Sequence, residues 1–332
     1  MLAGMRRQIT AAYPPKPKFT EANVPDLTGK VYIVTGSNTG IGMQLARILH
    51  SKNAKVYIAA RDQTKAEAAA ESIKASNPSS TGSLAFLRLD LADLTTIKAS
   101  VDEFLSKEKQ LHVLFNNAGV MMPPQGSKTA QGYELQLGIN NVGTFLFTKL
   151  LTPILTTTAT SSTPGSVRVV WVSSSMAELS SPNPGGVPLN KLDDLASNNS
   201  FSPRVKYGIS KAGNYLNATE YARRFGDKGI VSVALNPGNL RSDLARHLGS
   251  LQKAFLNYFV QHPTVNGAYT ELFAGLSPEV GLEKNGAWIQ PWGRFEQIRE
   301  DLQKATKSES EGGSGIAQKF WEWTEKQVQQ YL

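Results

Sequence analysis

Tyr207 and Lys211 stand four residues apart. On a helix that spacing puts both side chains on one face. A phenol titrates near pH 10, too high for efficient proton exchange at neutral pH, and an adjacent ammonium favours the phenolate and lowers that value. Such a pair could move a proton; its plainer reading is two exposed neighbours on a helix. A second stretch could hold an anion. Gly36, Gly40 and Gly42 follow the apolar run Val31-Tyr32-Ile33-Val34, and residues 43–49 continue with apolar side chains at helical spacing. A strand, a Gly-rich turn and a helix start make a phosphate cradle, because backbone N–H groups at the helix N-terminus face the anion and the helix dipole adds to the attraction. Glycine is needed because a Cβ would block close approach of a pyrophosphate. The spacing, G-x-x-x-G-x-G, differs from the G-x-G-x-x-G of many dinucleotide folds. Ser37, Asn38, Thr39 and Ile41 complete the same turn.

These residues need elements to hold them. Residues 54–60, 84–90, 111–116, 167–173 and 230–236 read as further strands, and 286–293 as a last strand and turn. Helices are expected over 64–75, from Asp93 or Thr95, over 134–155 and over 207–225, with the Thr/Ser-rich run 156–165 as a surface loop. Strands alternating with helices specify an α/β fold: a Rossmann-type, doubly wound parallel sheet with right-handed crossovers. Ligands of such sheets bind at the carboxyl ends of the strands. Gly36, Arg61, Asp90, Asn116, Ser174 and Pro237 all fall there.

Composition narrows the classes. With 332 residues and 40% hydrophobic content, the chain can build one large α/β core, and global disorder is excluded. The net charge of +8 suits phosphorylated ligands or an anionic membrane surface, or is simply a solvated basic surface. No Lys/Arg-rich run or interleaved aromatic stripe is present, so no nucleic-acid partner is expected. The absence of cysteine rules out disulfides, thiolate catalysis and cysteine metal sites. His50, His112, His247 and His262 lack ligand spacing, so no metal is expected. Residues 1–28, with Pro14, Pro15, Pro17 and Pro25, read as an extended arm, and residues 1–10 lack the apolar core of a secretory signal. No window approaches the roughly 18 apolar residues of a spanning helix. The expected organisation is a single domain: arm 1–28, a dinucleotide-binding and catalytic domain 29–293, and a C-terminal helical tail 294–332. The expected location is cytoplasmic, with a peripheral membrane contact and a homo-oligomer both left open. Phe320, Trp321 and Trp323 of the tail could pack at home, at a subunit interface or on a membrane.

Thr35-Gly36-x-x-x-Gly40-Ile41-Gly42, Asn116-Asn117-Ala118-Gly119, Tyr207-x-x-x-Lys211 and Asn236-Pro237-Gly238 stand in this order at strand ends. In that combination the chain resembles a short-chain dehydrogenase/reductase over residues 27–293. Residues 59–62, 138–145 and 168–174 resemble signatures of the retinol-dehydrogenase-like branch. The resemblance implies hydride transfer between a nicotinamide and a carbonyl or alcohol. It gives Tyr207 the proton transfer, and gives Lys211 both electrostatic support and a bond to the nicotinamide ribose. It places a serine on the reacting oxygen, where charge builds during transfer. Ser173, Ser174 and Ser175 are adjacent; alignment selects Ser174, with Ser175 as runner-up. Asn140 fits the asparagine that holds a water relay to the lysine, and Asn141 replaces a common histidine. The resemblance also places Asn117, Ala118, Gly119, Leu91, Pro237, Gly238 and Ser242 in the cofactor site, the last three near the carboxamide. Asp90 resembles an adenine contact; its plainer reading is a helix N-cap. Asn116 is expected to bond across the central strands as a structural group.

The end of the second strand indicates which dinucleotide. NAD sites usually present a carboxylate there. Here Ala60 is followed by Arg61, and a guanidinium binds a 2′-phosphate that a carboxylate would repel. NADPH/NADP+ is therefore favoured over NADH, with the neighbouring Asp62 as counterweight. A long Pro/Gly-rich segment lies between Ser174 and Tyr207, and could act as a movable wall. Residues 239–265 resemble a substrate lid, with Leu244, Leu248, Leu251 and Phe255 at helical spacing. Either these pack on the core or they wall a pocket for a lipophilic carbonyl or alcohol. The competing function is a cofactor-binding scaffold, or an isomerising or cyclising catalyst, on the same fold.

Overall fold

The computed structural model describes residues 2–195, 201–241 and 262–332. At its centre lies strand β1, Val31–Thr35, buried along its length. Tyr32 and Val34 pack on one face and Val31 and Ile33 on the other, so a run without polar alternation suits a strand covered on both sides. Around it stand β2 (Lys55–Ala60), β3 (Ser83–Arg88), β4 (Val113–Asn116), β5 (Val167–Val172), β6 (Ile230–Leu235), β7 (Trp288–Gln290) and β8 (Arg294–Phe295). The order in the eight-stranded sheet is β3-β2-β1-β4-β5-β6-β7-β8. All neighbours are parallel except β8, which turns back antiparallel on β7. The chain runs outward from β1 to β3, then returns to β4 on the other side of β1. That reversal opens a crevice at the β1/β4 carboxyl ends.

Helices cover both faces. Buried residues of α2 (Gly40–Ser51) and α3 (Gln63–Ser76) share a core with Tyr32, Val34, Phe115 and Val170. Those of α4 (Leu94–Lys107) share the opposite core with Ile33, Leu114 and Trp171. The helix expected over 134–155 is built in three pieces. A short α5 (Leu135–Leu137) leads into a π-helical turn, Gly138–Gly143, and then α6, Thr144–Thr160. The Thr-rich run is not a loop up to Thr160. Thr158 and Thr160 donate to the carbonyls of Ile154 and Thr157 at 2.7 and 2.8 Å, so their hydroxyls are satisfied within the helix. After α7 (Met176–Leu179) comes the long α8, Pro203–Phe225, on the same face as α6; α9, Thr264–Leu276, covers the other face beside α2. No helix among the described residues is long and apolar enough to cross a membrane.

The two ends of the chain both pack on this body. Residues 2–12 form helix α1, Leu2–Ala12, where an extended arm is expected. Further along the arm, Val24 and Leu27 are buried and Phe19 meets Phe273 edge-on at 6.0 Å. The tail folds into α10 (Glu300–Thr306) and α11 (Ile316–Val328), and α11 lies along α8. Its aromatics pack at home: Phe320 and Trp321 are buried, Trp321 meets Phe145 at 4.6 Å, and Trp323 Nε1 donates to Asp193 at 2.8 Å. The Pro/Gly-rich segment before α8 is held rather than loose where it is described. Gly185 N donates to Asp301 at 2.8 Å, and side chains at Gly185 and Gly186 would collide with Ile316 and Leu302. Removing the fully buried Phe320 side chain should therefore act as a core deletion. Phe320→Ala is expected to lower unfolding free energy by about 3–5 kcal/mol in a urea titration; a loss below about 1 kcal/mol would place α11 outside the core.

Candidate active site

Helix α8 starts on Ser202, whose side chain accepts from Val205 N, with Pro203 at its first position. Its second and third turns bring Tyr207 and Lys211 to the carboxyl end of β5, both only 3% exposed. Lys211 Nζ donates to the Val172 carbonyl at 2.8 Å, and Asn214 Nδ2 donates to the same oxygen at 3.0 Å. The three adjacent serines are separated by what they touch. Ser173 Oγ donates to the Lys211 carbonyl at 2.6 Å and is buried. Ser174 hydrogen-bonds the Tyr207 side chain and accepts from Met176 N at 3.2 Å. Ser175 opens α7 with no side-chain cap bond.

Burial dominates the electrostatics. It pushes the Tyr207 phenol up to about 12, with the Ser174 bond acting in the opposite direction. It pushes Lys211 down to about 8, opposed by Glu271 of α9. Glu271 is fully buried, and its carboxyl rises to about 8, opposed by Lys211. The lysine's N–H is directed at Val172, Nζ lies 5.7 Å from the Tyr207 ring centre, and burial weakens its own charge.

Asn140 lies in the π-helical turn, a feature that often marks functional sites. Its side chain clamps Val120: Oδ1 accepts from Val120 N at 2.9 Å and Nδ2 donates to Val120 O at 3.0 Å. Nδ2 also donates to Ser210 Oγ at 2.9 Å. Gly119 fits between this asparagine and the lysine. A Cβ there would lie 3.1 Å from Asn140 Oδ1 and 3.3 Å from Lys211 Nζ. Asn141, where a histidine is common, donates to Ser210 O and Asn214 Oδ1.

The cradle is closed on its inner side and open on its outer side. A Cβ on Gly36 would stand 3.0 Å from Ala118, and one on Gly42 2.6 Å from Asn117 Nδ2. At Gly40, with φ +60°, nothing lies within 4 Å of that position. The start of α2 is therefore accessible to an anion, and the residues fit a dinucleotide. Ser37 is buried and donates to Val34 O at 2.7 Å. Ile41 is half-buried above α9, Thr39 is the N-cap residue, and Asn38 lies between Ser37 and Thr39 in the same turn. The bond across the central strands belongs to Asn117 rather than Asn116. Asn117 Nδ2 donates to Thr35 O at 2.7 Å, whereas Asn116 Nδ2 reaches Thr148 of α6 at 2.9 Å.

Just past the end of β3, Asp90 does not cap α4. Asp93 does, while Asp90 Oδ1 accepts from Ala92 N at 2.9 Å in the turn before it. Leu91 is buried under Gly143, where a Cβ would meet its carbonyl at 2.3 Å. Arg61 is exposed, with no ion pair among the described residues. Its neighbour Asp62 turns away to cap α3, accepting from Lys65 N at 3.0 Å. Gly238 (φ +89°) leaves room for Trp292, whose ring would stand 2.7 Å from a Cβ there; Pro237 precedes it after β6. Ser242, and Leu244, Leu248, Leu251 and Phe255 of the expected lid, lie outside the described residues. Among the described residues, no three His, Asp or Glu side chains group to hold a metal.

Two groups escape the motif reading. Arg88, exposed at the end of β3, is the register partner of Ala60, the residue before Arg61, so two cations stand at neighbouring strand ends. Glu271 interrupts an apolar helix, and that lone acid between Gly267 and Gly275 was its only signal in the sequence.

The family model for short chain dehydrogenase matches residues 30–185. A short-chain dehydrogenase/reductase of Phomopsis amygdali is 54% identical over 324 residues, covering 96% of each chain. Another, from Neocamarosporium betae, is 47% identical and covers 97% of this chain and 93% of its own. Among solved structures, the NADPH-bound carbonyl reductase from chicken fatty liver aligns with a TM-score of 0.59 at 20% identity, over 81% of this chain and 99% of that one. A 3-ketoacyl-(acyl-carrier-protein) reductase from Brucella melitensis, complexed with NADH, aligns at 0.60 and 22%, over 80% and 98%. At these identities the two structures share the fold.

The charge on Lys211 sets a pH expectation. Its ammonium is lost as pH rises through about 8, so any support that this charge gives the Tyr207 oxygen fades above that pH. The kcat/KM for carbonyl reduction should fall with rising pH, breaking near 8. A profile flat from about pH 7 to 9.5 would contradict a role for that charge.

Proposed function

Because the chain belongs to the short-chain dehydrogenase/reductase family, and is an oxidoreductase of a fold that binds nicotinamide cofactors, we propose that it interconverts a lipophilic carbonyl and its alcohol with NADPH/NADP+. The observation that carries this reading is the contact of Ser174 with the buried Tyr207, beside the buried Lys211. A bound nicotinamide dinucleotide would give or take the hydride. Tyr207 gives its phenolic proton to the substrate oxygen during reduction and takes it back during oxidation. Ser174 donates a hydrogen bond to that oxygen as negative charge develops. Lys211 stabilises the phenolate and holds the nicotinamide ribose. Asn140 keeps Val120 and Ser210 in place around the lysine.

The preference for the 2′-phosphate rests on Arg61, which stands exposed while Asp62 is engaged at its helix cap. Arg88 adds positive charge at the same strand ends. The cradle Gly36–Gly42 and the segments Asn117–Gly119 and Pro237–Gly238 hold the rest of the dinucleotide, with Asp90 and Leu91 on the adenine side. The lipophilic substrate is supported by the apolar spacing within 239–265 and by Val120, Met121 and Met122, half-buried beside Gly119.

Two measurements test these points. Arg61→Ala should raise KM for NADPH about ten-fold or more, the size of a lost charge-assisted hydrogen bond, and leave KM for NADH nearly unchanged; equal effects would mean that Arg61 only stacks on the adenine. Across a series of ketones from short to bulky, kcat/KM with NADPH should climb steeply, because each buried CH₂ contributes on the order of 0.8 kcal/mol. A flat profile would contradict the lipophilic pocket.

A further inference from the structure

Helix α1 is joined to both segments that carry the active site. Its Arg7 Nε stands 3.0 Å from Glu178 Oε1 as an ion pair, with the N–H not aligned for a hydrogen bond. Gln8 Nε2 donates to Glu178 Oε2 at 3.3 Å. Glu178 belongs to α7, the turn that starts on Ser174: Ala177 N donates to Ser174 O at 3.0 Å and Glu178 N to Ser175 O at 3.0 Å. The Glu178 side chain is only 2% exposed, and burial raises its pKa while Arg7 acts against that shift.

From Glu178 the connections continue across the sheet end. Gln290 Nε2 of β7 donates to Glu178 Oε2 at 3.4 Å, and Asn236 Nδ2 donates to Gln290 Oε1 at 3.0 Å. Asn236 Oδ1 in turn accepts from Gly238 N at 3.1 Å. A continuous polar path therefore runs from α1 to the serine loop and on to the Pro237–Gly238 segment. Arg299 fixes the far side of α7, donating to the Glu178 carbonyl at 2.5 Å and to the Ser181 carbonyl at 3.1 Å.

The other end of α1 is anchored on the same side of the sheet. Arg294 Nη2 donates to Thr10 O at 3.0 Å, and His262 Nε2 donates to Ala12 O at 3.0 Å. His262 pairs with Leu240 and meets the Trp292 ring at 5.1 Å, the ring that packs on Gly238. A helix that served only to cover apolar core would not need its charged side chains and carbonyls joined to these loops.

We propose that α1 is a working part of the active site: Arg7 and Gln8, acting through the buried hub Glu178, position the Ser174 turn and the Asn236–Gly238 segment. Arg7 and Glu178 are positioning residues. The proposal rests on the functional reading above for what those segments do, and on the polar path alone for how they are held.

The test separates the two. Hydrogen exchange on the cofactor-free protein reads local opening whether or not the protein is a reductase. Wild type is compared with Arg7→Ala, Glu178→Gln, a deletion of residues 2–12, and the charge-conserving Arg7→Lys. Amides of 174–181 and 236–240 are expected to exchange about ten-fold faster in the first three, with α4 unchanged, and Arg7→Lys should restore most of the protection. NADPH affinity, followed by cofactor fluorescence, should weaken about five-fold in the same three variants and recover in Arg7→Lys. Exchange at 174–181 within about two-fold of wild type in all variants would overturn the proposal. So would acceleration spread evenly through α4, which would make α1 a general stabiliser. A wild-type protein that binds no NADPH would count against the proposed function, and the exchange data would still decide this one.

Discussion

The attachment of α8 to the end of β5 is the constraint on which the site depends. Ser173 Oγ holds the Lys211 carbonyl at 2.6 Å, while Lys211 Nζ and Asn214 Nδ2 hold the Val172 carbonyl at 2.8 and 3.0 Å. Each group satisfies a buried partner that would otherwise cost about 1–3 kcal/mol. Helix and strand are thereby fixed in register. A slip of one residue along α8 would rotate Tyr207 by about 100° and carry it off Ser174. Enclosure comes with this attachment. The same burial that orders Tyr207 and Lys211 drives both toward their neutral forms, the phenol to about 12 and the ammonium to about 8.

The second half of the site is joined to the first at the β1/β4 junction. Thr35 Oγ1 donates to Phe115 O at 3.2 Å and accepts from Ala118 N at 2.9 Å, while Asn117 Nδ2 donates to Thr35 O. These bonds draw the Gly-rich turn and the Asn117–Gly119 segment together, so Gly36 and Gly42 cannot carry side chains. Gly119 then faces Asn140 and Lys211 at just over 3 Å from where its Cβ would be. The Gly-rich turn and Lys211 thus meet through one short stretch of backbone at the switch in strand order.

Much of this was legible in the sequence because it rests on local rules. The β-branched run before Gly36, the Gly spacing and the four-residue interval between Tyr207 and Lys211 each specify geometry within one or two turns. The details that required the fold are those set by distant partners. No spacing rule shows that Asp62 would be engaged as a cap, or that Ser173 would turn to Lys211 and leave Ser174 for Tyr207. The proline-rich arm read as extended because Pro14, Pro15 and Pro17 dominate its composition, yet the residues before them form α1 and reach Glu178. The Thr-rich end of α6 read as loop because threonine favours other conformations, a preference overridden here where Leu155 and Thr158 are buried against the core and the Thr158 hydroxyl is satisfied within the helix.

Glu271 shows the limit of motif reading most clearly. It lies fully buried, and neither carboxylate oxygen has a hydrogen-bond partner among the described residues. It still opposes the loss of charge on Lys211 from the far side of the sheet. All these features converge on one phenolic hydroxyl, so the most direct measurement removes only that atom. In Tyr207→Phe, steady-state turnover of a carbonyl with NADPH should fall by at least about 100-fold, while the dissociation constant for NADPH, measured by fluorescence, stays within about two-fold of wild type. A variant that keeps near-wild-type kcat would contradict the account.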